Sequence, residues 1–232
     1  AMYERCYTAD NCFVVMSGCI DDNVMGAVEE LIVGLSRGEA CHVKGMPTNT
    51  TYRLHSEVKD ALQSSIRIGR LLFPRTHPDF VGMQVVASIL GGYFGSRLMS
   101  NLREEHGYTY GVSAAMINFD SEGYFALATQ VACEHRDDAL KEIYSEIELL
   151  REELVSEEEL EMVKNVMIGE ILRILDGPFG IADVTIENIM CGMDNGATER
   201  SVETIAAITA EEVRDLARRY LEHDMLVEVV VG

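Results

Sequence analysis

Across 232 residues, 39 acidic side chains outnumber 19 basic ones and leave a net charge of −20. That balance excludes nucleic acid as the expected partner, because basic patches supply most of the affinity there. With 47% apolar and 25% charged residues the chain reads as globular, and no apolar run approaches the roughly 18–20 residues of a membrane span. The acidity fits solvated, Glu-rich helix faces, and it also suits a basic peptide ligand.

The run Asn11–Ile20 (NCFVVMSGCI) is almost continuously apolar and predicts a covered, central strand. Asp21, Asp22 and Asn23 then offer N-caps to a helix. Its inner face holds Val24, Ala27, Val28, Leu31, Ile32 and Leu35, and it ends near Gly34 or Gly38. Residues 38–56, with Gly45, Pro47 and Asn49, read as a loop giving way to an edge-like strand around Thr51–Ser56. Leu62–Phe73 predicts a strand with Ile66 and Ile68 on one face and Arg67 on the other, closed by Pro74 and Pro78. From Asp79 a helix carries Phe80, Met83, Val86, Ala87 and Leu90 inward and delivers the chain to Gly91-Gly92.

The stretch Ile89–Ser113 (ILGGYFGSRLMSNLREEHGYTYGVS) follows as a helix end, a glycine-rich break, a short second helix and a strand. Leu98 and Leu102 form one apolar stripe, Gly107 suits a left-handed cap, and Tyr108, Tyr110 and Val112 alternate as a strand does. Arg103 in the last helical turn and Tyr110 beyond the glycine then project near one another at a helix-to-strand corner. The run from Gly91 to Ser96 follows a helix and lacks a Lys-Ser/Thr ending, so a tight turn is expected there rather than a phosphate cradle.

Gly107–Phe119 and Glu122–Val131 make a hairpin through Asp120-Ser121-Glu122-Gly123. An acidic amphipathic helix spans 137–154. Ser156 with Glu159, and Thr209 with Glu212, read as capping boxes opening helices to about Leu175 and Leu221. Gly177-Pro178 breaks the first, and shorter helices fall near 180–190 and 199–207. Met225–Val231 is an apolar strand suited to lie beside the first one. The expected fold is α+β, a mostly antiparallel sheet with helices on one face, as a single domain over 1–232.

No H-x-x-E-H or H-E-x-x-H occurs, and His42, His55, His77, His106, His135 and His223 are isolated from one another, so no metal site is expected within this chain. Cys6, Cys12, Cys19, Cys41, Cys133 and Cys191 form no C-x-x-C pair. They read as free, mostly buried thiols of a reducing compartment, the cytoplasm, with Cys12 and Cys19 on opposite faces of one strand. Tyr110 and its neighbour Tyr108 are candidates for chemistry. A phenol is a neutral donor at pH 7, with a reference pKa of about 10, and such a donor can stabilise an oxyanion. The residues alone leave two alternatives open: Tyr110 capping the sheet edge, and Arg103 pairing with Glu104, Glu105 or the helix C-terminus. Nor does spacing choose between Tyr110 and Tyr108, which alternation puts on one face.

Leu90-Gly91-Gly92, Phe94-x-Ser96-Arg97-Leu98 and Arg103-Glu104-x-x-Gly107-x-x-Tyr110 together resemble the non-catalytic half of the pitrilysin/insulinase zinc metallopeptidases, which include the mitochondrial processing peptidase. The resemblance extends along nearly the whole chain and implies the same α+β half-domain. It implies a C-terminal half, excised from a longer protein, that closes like a clamshell on an N-terminal half or partner subunit carrying H-x-x-E-H and the zinc. It selects Tyr110 as the oxyanion donor and Arg103 as the holder of a substrate carbonyl, with Gly92 and Phe94 bordering a peptide substrate. A catalytically inactive scaffold module of the same family is the alternative it leaves. Self-association is expected if the surface meant for the other half stays uncovered.

Overall fold

The computed structural model describes residues 2–39, 52–119 and 121–232. The expectations for Cys41, His42, Gly45, Pro47, Asn49, Thr51 and Asp120 lie outside the described residues. Five strands among those described form one sheet: β1 (Arg53–Ser56), β2 (Gln63–Leu72), β3 (Val112–Asn118), β4 (Gly123–Ala132) and β5 (Val227–Val231). Their order is β1-β5-β2-β4-β3, antiparallel except for the parallel pair β1–β5. Period-2 alternation gives each long strand two different faces. One face buries Ile66, Ile68, Phe125, Leu127, Val131, Ala114 and Val230. The other presents Ser65, Arg67, Gly69, Ser113, Ala115, Ala126 and Ala128, which are exposed or half-buried. The sheet is therefore covered on one side and open on the other.

The covering layer is α3 (Phe80–Ala87), α4 (Arg136–Glu152), α5 (Glu157–Ile174), α6 (Pro178–Met190), α7 (Ala197–Ala207) and α8 (Ala210–Tyr220). Phe80, Met83, Val86, Ile143, Ile147, Val213 and Ala217 join the buried strand residues in one core. The capping box of α8 is complete: Thr209 Oγ1 accepts from the Glu212 N–H, while the Glu212 carboxylate accepts from the Thr209 N–H. At α5 only half of the expected box forms, with Ser156 Oγ accepting from the Glu159 N–H. The Glu159 carboxylate is taken instead by Arg97, which donates to both of its oxygens at 2.7 and 2.8 Å.

At the N-terminus α1 (Met2–Cys6) precedes α2 (Asp22–Val33), where Asp21 caps by accepting from the Val24 N–H, as expected. The stretch between them departs from the sequence reading. Residues 12–20 belong to no strand, and Phe13 and Val14 are exposed. The physical reason lies in the sheet, where both hydrogen-bonding edges of β5 are filled, one by β1 and the other by β2. The C-terminal strand thus pairs with Arg53–Ser56 and not with the apolar run. The helical spacing of α2 is real, but none of its residues is buried. Cys12 and Cys19 are accordingly exposed, Cys6 and Cys133 half-buried, and Cys191 is the buried one among the described cysteines. Among the described residues no helix is long and apolar enough to cross a membrane.

Candidate functional site

The site is built where α3 runs out. Its last residues pass into a widened, π-type turn over Ser88–Gly92. Such turns cluster at functional positions. The turn lies directly on the β3 backbone, and a Cβ on Gly91 would sit 2.7 Å from the Ala114 nitrogen. A second widened turn spans Met99–Glu105, anchored by Leu98 and Leu102, both fully buried. It closes with the His106 N–H donating to the Asn101 carbonyl at 3.1 Å and the Tyr108 N–H to the Leu102 carbonyl at 2.8 Å. Gly107 takes φ +67° just past this end, the left-handed conformation expected of it.

Beyond Gly107 the sequence reading needs correction. The strand begins at Val112, not at Gly107, so alternation does not govern Tyr108 and Tyr110. Tyr108 is half-buried between the rings of His106 and His135, with centroids 4.9 and 4.7 Å away. Tyr110 is 92% exposed. Thr109 fixes the link between them. Its hydroxyl lies 2.7 Å from the Gln130 carbonyl oxygen and accepts from the Gly111 N–H at 3.1 Å. Thr129, buried beneath, reaches the Gly111 carbonyl at 2.9 Å. An exposed phenol is therefore carried on a tethered backbone.

Two depressions meet here on the open side of the sheet. One, of about 440 Å³, is lined by residues that include Gly92, Phe94, Met99 and Ser113. The other, of about 240 Å³, is lined by residues that include Tyr110, Arg67 and Gln130. Gly111 and Ala128 line both, so the structure brings Gly92, Phe94 and Tyr110 to one groove. Arg103 stands at its rim with its guanidinium 4.6 Å from the centre of the Phe94 ring. Among the described residues no carboxylate lies within the 4.0 Å ion-pair distance of Arg103, so it does not pair with Glu104 or Glu105. Arg67, Gln63 and Gln130 are groove residues that the sequence reading assigned no role. The alternation that turned Arg67 away from Ile66 and Ile68 was their visible signal.

The corner is held from outside by Arg97. Its ion pair with Glu159 keeps the guanidinium protonated more firmly than usual, chiefly through the hydrogen bond to that carboxylate. Neighbouring Tyr93 has its phenol pKa raised, by burial first and by the Glu159 charge second. The other described histidines have structural company. His77 stacks on Phe73 at 4.0 Å, His55 Nε2 lies 2.7 Å from Glu228, and Arg53 reaches His223 at 2.9 Å. Among the described residues no three His, Cys, Asp or Glu side chains converge where they could hold a metal ion.

The family model described as "Peptidase M16 inactive domain" matches residues 1–167. The "Uncharacterized zinc protease YmxG" of Bacillus subtilis is 21% identical over 225 residues, covering 97% of this chain and 54% of that protein. The "Probable inactive metalloprotease YmfF" of the same organism is 20% identical over 216 residues, covering 85% and 49%. The chain thus spans about half the length of these curated relatives. The crystal structure of a peptidase M16 inactive domain from Pseudomonas fluorescens shares the fold with a TM-score of 0.87 and 24% identity, over 99% of this chain and 56% of that one.

Proposed function

Since the chain belongs to the peptidase M16 inactive domain family, we propose that it is the substrate-contacting, zinc-free half of a two-half metallopeptidase. The observation that carries this reading is the exposed Tyr110 phenol in the same groove as the Gly92–Phe94 corner. A peptide strand lies across the open face of the sheet. The Tyr110 hydroxyl donates a hydrogen bond to the oxygen of the carbonyl under attack, where negative charge develops. Arg103, steadied on Phe94, holds a backbone carbonyl with its fixed fork of donors and sets the peptide's register. Gly92 borders the peptide at the corner, and its lack of a Cβ, which would meet the Ser88 Oγ at 2.7 Å, keeps that turn tight.

The zinc and its H-x-x-E-H ligands belong to the other half, an N-terminal segment of the same protein or a partner subunit. Exposed apolar side chains on α2 and α6, among them Leu31, Val33 and Phe179, support a covering partner. The exposed thiols of Cys12 and Cys19 support a reducing compartment such as the cytoplasm. A scaffold role is the second reading, favoured by the likeness to a relative named as inactive. Mixing the chain with a zinc-bearing half separates the two. Peptide hydrolysis that needs both components supports the proposal. A stable complex that hydrolyses no peptide is the scaffold outcome.

A further inference from the structure

The depression in front of Tyr110 has a floor that the proposed chemistry does not use. Gln63 and Arg67 of β2 form it with Thr109, Gly111 and residues 128–130 of β4. Its polar side chains are a guanidinium, two amides and a phenol, all able to donate, and two hydroxyls that already donate to the backbone carbonyls of Gln130 and Gly111. None is a carboxylate. In a chain with 39 acidic residues against 19 basic ones, an acid-free lining made of donors is a chemical preference written into one place.

Arg67 is its charge. Across the sheet it faces Ala128 on one side and Val229 on the other, and Ser65 and Gly69 flank it along the strand. These small neighbours leave the guanidinium uncovered, and Arg67 is exposed. One of its terminal nitrogens donates to the carbonyls of Ile66 at 2.8 Å and Thr129 at 3.2 Å, which fixes the arm at the wall of the depression that Arg67 lines. Among the described residues no carboxylate lies within the 4.0 Å ion-pair distance of it. The volume, about 240 Å³, suits one side chain or a chain end rather than a long segment.

We propose that this depression is a carboxylate subsite. It takes an acidic side chain, or the C-terminal carboxylate, of a bound peptide, with Arg67 as the charge partner and the Gln63 and Gln130 amides as flanking donors. The inference rests on the peptide-groove reading and narrows it to a substrate class. Here the acidic chain selects acidic peptides locally, against its own net charge.

The test titrates the full chain with four labelled alanine heptapeptides, carrying a central Glu or Gln and ending in a free or an amidated C-terminus. Anisotropy reads the affinities. A peptide that places a carboxylate in the site is expected to bind about fivefold or more tightly than its neutral counterpart. Added salt should narrow the difference. A Glu-over-Gln preference identifies the side chain as the source, and a free-over-amidated preference identifies the chain end. Arg67→Gln should erase the preference, bringing the acidic peptide and its neutral counterpart to one affinity, whereas Arg67→Lys should keep part of it. Equal binding of all four peptides overturns the subsite and leaves the groove reading standing. So does a preference that survives Arg67→Gln. If none of the four binds to folded chain, the groove reading fails and the subsite with it.

Discussion

The Arg103 guanidinium rests on the Phe94 ring, 4.6 Å from its centre, so rim and corner of the groove are coupled through one contact. Partly exposed pairs of this kind contribute about 0.5–1 kcal/mol. Phe94→Leu should therefore weaken peptide binding by about two- to fivefold, by freeing Arg103 rather than by deleting it. Phe94 is itself 62% exposed, so the melting temperature should hardly move. Parallel melting and peptide titration of the variant check both halves of this expectation.

Two glycines of the groove should respond in opposite ways. At Gly91 an added Cβ meets the Ala114 nitrogen at 2.7 Å and its Cβ at 3.0 Å, and backbone cannot step aside as a side chain can. Gly91→Ala should cost about 1–3 kcal/mol by forcing the corner off β3. At Gly111 a Cβ meets nothing within 4 Å, yet the residue lines both depressions. Gly111→Ala should leave stability unchanged and reduce peptide affinity. Denaturant unfolding with a peptide titration separates the two, and equal stability losses would contradict the packing described.

Buried Glu228 on β5 accepts from the Tyr144 hydroxyl at 2.7 Å and lies 2.7 Å from His55 Nε2. Tyr144→Phe removes one donor from that carboxylate and should cost about 1–3 kcal/mol at neutral pH. The Tyr144 phenol pKa is raised well above its ordinary value, by burial first and then by the hydrogen bond and charge of Glu228. Below about pH 10 the phenol is protonated in both folded and unfolded chains and adds no pH dependence. Above it the unfolded chain ionises first, so stability falls as pH rises toward the folded value. Tyr93 and Tyr220 are shifted in the same direction, by burial first. Unfolding free energies between pH 8 and 11 should decline less steeply for Tyr144→Phe than for the unaltered chain.

Where a feature depends on a few neighbouring residues, it was legible in the sequence. Asp21 caps α2, Gly107 takes the left-handed cap, Leu98 and Leu102 are buried together, and β3 and β4 pair antiparallel as expected of a hairpin. Distant competition hid the rest. The Asn11–Ile20 run has the apolar composition of a central strand, but Gly18 within it takes φ +124° and β1 and β2 occupy the edges of β5. Glu159 was half of a sound capping motif until Arg97, 62 residues earlier, claimed its carboxylate. Tyr108 and Tyr110 part company because Thr109 is tied to Gln130, a residue of the next strand. Arg103, Gly92, Phe94 and Tyr110 came from the family resemblance. Arg67 could be placed on a face but not recognised as uncovered, because that depends also on Ala128 and Val229 of two other strands.

The central claim is that the Tyr110 phenol meets the reacting carbonyl, and one substitution addresses it directly. Tyr110→Phe removes the hydroxyl from a side chain that is 92% exposed, so the fold should be unaffected. In the enzyme assembled with its zinc-bearing half, kcat should fall by about 10²–10³, the usual cost of one oxyanion donor, with KM little changed. Turnover within a few fold of the unaltered enzyme would contradict the account.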